Sequence, residues 1–144
     1  MFRKLVTSAL GSSLFFSTAA YPQGTAADAK AMLEKTVAAI KADKAKALDE
    51  INKGENNFLV GDIYPVCVNL DDGALVAIGN PNEKQSLGKD VGLTNPQLYG
   101  AAKEGRINEV TYEVPKPGPD KTPGLKASFV TAVAGLGCGV GYYK

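Results

Sequence analysis

Asp62 to Ile78 reads DIYPVCVNLDDGALVAI: two runs rich in β-branched and aromatic residues with Asp71-Asp72-Gly73 between them. Asp-Gly between apolar runs is hairpin chemistry, because the turn needs residues that tolerate a positive φ. The stretch therefore predicts strands over 62–70 and 74–78. Pro65 cannot donate to a ladder, which predicts an edge position or a bulge near it. Downstream, Asn108 to Val114 alternates, with Val110, Tyr112 and Val114 on one face and Glu109, Thr111 and Glu113 on the other, the pattern of a half-buried strand. Lys126 to Ala134 and Gly137 to Tyr143 supply two more strands around a tight turn at Gly135.

The connections differ in character. PKPGPDKTPG, residues 115–124, holds four of the chain's eight prolines and reads as a rigid, extended hairpin loop. Gly79 to Glu104 is rich in Gly, Asn and Pro, with one short helix beginning at Asn95-Pro96. A connection this long in a small chain is a candidate functional loop.

Upstream of the hairpin the period changes to helical. Thr25-Ala26-Ala27-Asp28 reads as a capping box and opens an alanine-rich segment. One long helix is predicted from Ala26 to Lys53, ending near Gly54. Its apolar stripe runs through Ala29, Leu33, Val37, Ile40, Ala47, Leu48 and Ile51, interrupted by Lys44, whose stem can lie on the apolar face while its ammonium reaches water. The stripe is expected to pack on the protein's own sheet; a homodimer seam through this helix is the alternative. Strands meeting through short turns argue for an antiparallel sheet, so the expected class is α+β, a long N-terminal helix on a five-stranded antiparallel sheet.

The first twenty residues are of another kind. Arg3 and Lys4 precede a mostly apolar stretch from Leu5 to Phe16, followed by Ser17-Thr18-Ala19-Ala20, the plan of a secretory signal peptide cleaved near Ala19 or Ala20. Residues 1–20 are thus expected to be removed and 21–144 to form a single periplasmic or secreted domain. Without Arg3 and Lys4, 16 − 2 = 14 basic residues face 15 acidic ones, a formal charge of −1. Dispersed among acids, these lysines form no basic stripe of the kind that holds nucleic acid.

Cys67 and Cys138 would meet an oxidising compartment after export, so a disulfide is expected, with two free buried thiols as the alternative. Histidine is absent from all 144 residues. That removes the commonest general base, the usual partner of a nucleophile and the usual transition-metal ligand. No catalytic residues, cofactor or metal are expected. GLGCGVG, residues 135–141, has the wrong spacing for a dinucleotide fingerprint and no helix after it. Its alternating glycines leave one strand face bare, and something is expected to pack closely there, such as the long helix. Tyr64, Tyr112, Tyr142 and Tyr143 fall on predicted strands, as core or pocket residues.

The segments YPVCVNLDDGALVA (64–77), LGKD (87–90), EGRINEVTYEVPKPG (104–118), LKASFV (125–130) and GVGYYK (139–144) together resemble the small single Cache domains of bacteria. The resemblance spans the chain from the long helix to its end. It implies an extracytoplasmic sensor fold related to PAS domains, with a long amino-terminal helix against the sheet and a small-molecule pocket on the sheet's other face. It also implies a sheet order that sets the first and last strands side by side, and hence a Cys67–Cys138 bridge. The family pattern tends to carry a tryptophan two residues after the third-strand tyrosine, where this chain has Val114.

From this resemblance comes the expected function, a non-catalytic module that binds or senses a small organic anion, a short carboxylate, and passes its state to a membrane-bound signalling partner. Tyr64, Tyr112, Lys126 and Tyr142 are the expected ligand-binding residues. Lys126, opening the fourth strand after a proline-rich loop, would face the carboxylate while tyrosine hydroxyls donate; its alternative is a solvated lysine at a strand end. A structural or interaction protein that keeps the fold without a ligand, dimerising through its long helix, is the competing reading.

Overall fold

The computed structural model describes residues 24–89, 96–115, 119 and 122–144. The expected signal peptide and its cleavage site lie outside these residues, as do Asn95 and half of the proline-rich loop.

The amino-terminal helical segment begins as its sequence requires. The Thr25 hydroxyl accepts from the Asp28 N–H, and the Asp28 carboxylate accepts from the Thr25 N–H at 2.9 Å, a complete capping box. These contacts hold the Asp28 carboxyl below its usual range, the backbone hydrogen bond contributing most. The segment does not stay one helix. It divides into α1 (Ala26–Ala42) and α2 (Lys44–Lys53), which corrects the single helix expected over 26–53. Asp43 makes the break. Its backbone is extended (φ −159°, ψ 99°), its N–H donates to the Ala39 carbonyl, and its side chain accepts from the Lys46 N–H at 3.1 Å, so one residue caps both helices. The break falls where Lys44 interrupts the apolar stripe. Lys44 donates to the Ala134 carbonyl at 2.9 Å, while Ala47 and Ile51 on α2 are buried. Gly54 then ends α2 in the left-handed conformation, φ 68°, which glycine adopts without a Cβ penalty.

The buried face of α1 is Ala29, Met32, Leu33, Thr36 and Ile40. It is turned slightly from the expected stripe, because Val37 and Leu48 are only partly buried. Each large apolar side chain in this face contributes roughly 1.5–3 kcal/mol by leaving water.

The strands are β1 (Pro65–Asn69), β2 (Leu75–Ile78), β3 (Asn108–Pro115), β4 (Pro123–Val133) and β5 (Leu136–Tyr143), all antiparallel in the order β2-β1-β5-β4-β3. The α+β expectation therefore holds, with two helices packed on a five-stranded antiparallel sheet. β1 is not an edge strand; Pro65 is tolerated as its first residue, and the register shift that disturbs the ladder lies between Cys67 and Val68. The β4–β5 turn places Ala134 and Gly135 both at positive φ, 51° and 77°, which matches the twist of a two-residue hairpin. β2, at one edge, is not left open. Asn52 of α2 donates its amide to the Val76 carbonyl and accepts the Ile78 N–H, at 3.1 and 2.9 Å. The backbone at 88–89 pairs with Leu75 on the same strand.

Cys67 stands directly opposite Cys138 across β1 and β5, and the two are bridged. Both are fully buried in the cluster that joins the helices to the sheet.

Candidate ligand-binding site

Register decides which side chains share a face, because residues paired across antiparallel strands point the same way. Cys67, Cys138, Val140, Tyr142, Ala127 and Val133 face the helices. The intervening residues face the other side, among them Val66 and Val68 on β1, Gly137, Gly139, Gly141 and Tyr143 on β5, Lys126 and Ser128 on β4, and Tyr112 on β3. The bare glycine face expected against the helix is therefore the opposite one. The helices need apolar side chains to pack on, and they find them at Leu136, Cys138 and Val140.

The glycines make room for a site. Tyr112, Lys126 and Tyr143 form one row across β3, β4 and β5. The Lys126 stem lies over Gly141, where an added Cβ would come within 2.5 Å of Lys126 Cε and 2.9 Å of Ser128 Oγ. At Gly137 a Cβ would meet Leu70 at 2.9 Å and the Tyr99 ring at 3.3 Å. The short helix α3 (Pro96–Gly100) covers this part of the sheet with Leu98 and Tyr99.

Under that cover is a cavity of about 60 Å³, lined by Asp62, Tyr64, Tyr99, Tyr112, Lys126 and Ser128 among others. This is space for roughly four waters. A more open vestibule of about 500 Å³ adjoins it, sharing Asp62, Tyr64 and Lys126 and adding Asn80, Glu83 and Tyr143. A larger groove of about 700 Å³ lies on the other side of the sheet between α1 and residues 104–107, and none of the predicted site residues lines it.

The polar groups around the cavity are few and directed. Tyr112 and Ser128 share a hydrogen bond of 2.8 Å, and Asn80 lines the vestibule together with Tyr64. Burial raises the pKa of Tyr64 and Tyr112, and drives that of Tyr99 far above the usual tyrosine range. All three stay neutral and keep a proton to donate. The Lys126 ammonium is 5.1 Å from the centre of the Tyr143 ring and forms no ion pair among the described residues. Burial lowers its pKa, opposed by the more distant carboxylates of Glu83 and Asp62. A cation so placed gains from any anion that reaches it.

Of the four residues expected to bind a ligand, the structure brings together Tyr64, Tyr112 and Lys126. Tyr142 is a correction. It pairs with Ala127 on the helix side, stacks on Phe129 with ring centroids 5.7 Å apart, and donates to Glu109 Oε1 at 2.6 Å. Its neighbour Tyr143 takes the place on the cavity side. Parity held the signal, since Tyr143 is in phase with Gly137, Gly139 and Gly141. Tyr99 and Asp62 carried none, because their positions depend on how α3 and the residues ahead of β1 fold over the sheet. Tyr142→Phe is accordingly expected to leave ligand binding within about twofold of the parent and to cost at most about 1 kcal/mol, since its partner Glu109 is exposed. Parallel calorimetry and denaturant unfolding check both numbers; a tenfold loss of affinity would return Tyr142 to the site.

Two solved structures are similar to this chain in fold. One is the periplasmic sensor domain of a chemotaxis protein, 22% identical, with a TM-score of 0.46 over 79% of this chain and 86% of that one. The other is a Cache chemosensory domain solved for its carboxylic acid recognition, 20% identical, with a TM-score of 0.47 over 79% of this chain and 84% of that one. The chain is similar to both. No protein-family model matches the sequence, and no curated protein matches it. Among the described residues no helix is long and apolar enough to cross a membrane, and no group of His, Cys, Asp and Glu is placed to hold a metal ion.

Proposed function

We propose that the chain is a small Cache-type module that works outside the cytoplasm, binds a small carboxylate on the sheet face away from its helices, and reports occupancy to a membrane-bound partner without catalysing a reaction. One observation carries the reading. A partly enclosed cavity converges on Lys126, a half-buried cation that forms no ion pair among the described residues, and is walled by tyrosines that keep their protons. Binding sites for small molecules commonly join such an apolar wall to a few placed polar groups. The same set lacks a paired acid and base or an activated nucleophile, which favours binding over chemistry. The signal-like start and the buried disulfide favour an oxidising compartment.

Calorimetry with a panel of short carboxylates and their neutral amides tests it. At least one carboxylate is expected to bind more tightly than its amide, and Lys126→Met is expected to weaken that binding at least tenfold. A charge-assisted contact of about 1.5–3 kcal/mol corresponds to a factor of that order or more. Undiminished binding by Lys126→Met would remove Lys126 from the site. Binding of no panel member would favour a structural protein that keeps the fold and pairs through its helices.

A further inference from the structure

The charged side chains lining the cavity and its vestibule do not describe a site for a plain anion. Lys126 is the one cation among the described lining residues, and two carboxylates accompany it. Asp62 lines both spaces, while Glu83 lines the vestibule. With one positive and two negative groups, the site has a net formal charge of −1. A monocarboxylate entering alone gains the Lys126 contact but brings a third negative charge into a half-desolvated space, where like charges repel more strongly than in water. A ligand that carries its own positive group closes the account. Its carboxylate meets Lys126 and the tyrosine hydroxyls, and its cation faces Asp62 and Glu83.

We infer that the ligand is a compact zwitterion, an α-amino acid or a molecule of that chemistry, held with its carboxylate on Lys126 in the inner cavity and its ammonium toward Asp62 and Glu83 at the vestibule. The inference rests on the carboxylate reading above and narrows it. The sizes agree. The inner space suits a carboxylate and little more, and the vestibule of about 500 Å³ leaves room for the rest of the molecule. The acids are available for this role. Asp62 accepts the Gly24 N–H at 2.9 Å through Oδ1, which leaves Oδ2 for a ligand. Glu83 is exposed on the 3-10 turn Pro81–Ser86 and accepts a bond of 3.3 Å from Asn80 through Oε1, which leaves Oε2. Neither forms an ion pair among the described residues.

The experiment compares L-alanine, propionate and isopropylamine, which share a three-carbon skeleton, by calorimetry on the parent, on Glu83→Gln and on Asp62→Asn/Glu83→Gln. Asp62→Asn keeps an oxygen for the Gly24 N–H, and Glu83→Gln alters only an exposed side chain, so the single variant reports even if the double variant folds poorly. Alanine is expected to bind the parent at least tenfold more tightly than either propionate or isopropylamine. Glu83→Gln should narrow the alanine-to-propionate ratio severalfold, and the double variant should bring it below about threefold, partly by strengthening propionate. Propionate binding the parent as tightly as alanine would overturn the zwitterion while leaving the carboxylate reading intact. Isopropylamine binding best would overturn it in favour of a cation site, and no binding of alanine to the parent would overturn it as well, the carboxylate reading being decided by the wider panel above. A ratio unchanged in Glu83→Gln and in the double variant would overturn the role given to the two acids.

Discussion

Reduction of the Cys67–Cys138 bridge is expected to cost about 4 kcal/mol of stability. The cysteines are separated by 71 positions, and in the chain-entropy model a loop of that length removes about that much conformational freedom from the unfolded chain, enthalpic terms aside. The native state offers no easy compensation. The bridge joins directly opposed residues on β1 and β5, and β1 is what ties β2 and the wall around Tyr64 to the remaining strands. Both sulfurs are shielded from solvent, so reductant should reach them only through openings of the structure, and reduction under native conditions should be slow. Denaturant unfolding with and without reductant measures the loss, with the slope fitted separately, because a cross-linked unfolded chain exposes less surface. Coincident midpoints would refute it, and so would mass spectrometry of unreduced, alkylated protein showing two alkylated cysteines.

Ile40→Ala is expected to cost 2–5 kcal/mol. Ile40 is 2% exposed and packs in the cluster that includes Leu33, Ile51, Phe58, Val140 and the bridge, so truncation leaves a cavity between helix and sheet that the surroundings fill only in part. Val37→Ala, three residues earlier and only half-buried, should cost about 1 kcal/mol or less. The contrast checks the orientation of α1 as well as its burial. Equal costs would mean a helix turned toward the Val37 side. An Ile40→Ala protein that changed from dimer to stable, folded monomer would mean that this face is a seam between two copies.

What could be read in the sequence was what local chemistry dictates. Thr25 and Asp28 announce a helix start, Gly54 announces an end, and Asp71-Asp72-Gly73 and Gly135 announce turns, because each depends on a few neighbouring dihedrals and donors. The five strands and their antiparallel pairing followed from those turns and from alternation. The helix break at Asp43 was less visible. Its only trace was the lysine in the apolar stripe, and the carbonyl that satisfies Lys44 belongs to Ala134, 90 residues away. The face assignment of β5 was harder still. Alternation says that Tyr142 and Tyr143 point oppositely, but which face meets the helices depends on where the large apolar side chains of four other strands gather. Lys126 and Tyr112, named from the resemblance and not from pairing, prove to be direct partners across β3 and β4. Tyr99 on α3 and Asp62 ahead of β1 reach the same cavity from separate segments, and no local rule joins them.

The glycine row of β5 has a mechanical meaning. Where Gly139 and Gly141 line the cavity its floor is peptide backbone, paired with β1 and β4 at Gly139 and with β4 at Gly141, and stapled to β1 from beneath through Cys138. Such a floor has no side-chain torsions with which to yield. An incoming molecule that does not fit cannot push it aside, so displacement must be taken up by the covering elements, α3 with Leu98 and Tyr99 and the segment bearing Asp62. Under the binding role proposed above, occupancy would then displace only the side of the sheet that carries these covering elements, and the stiff wall would set the direction of the response.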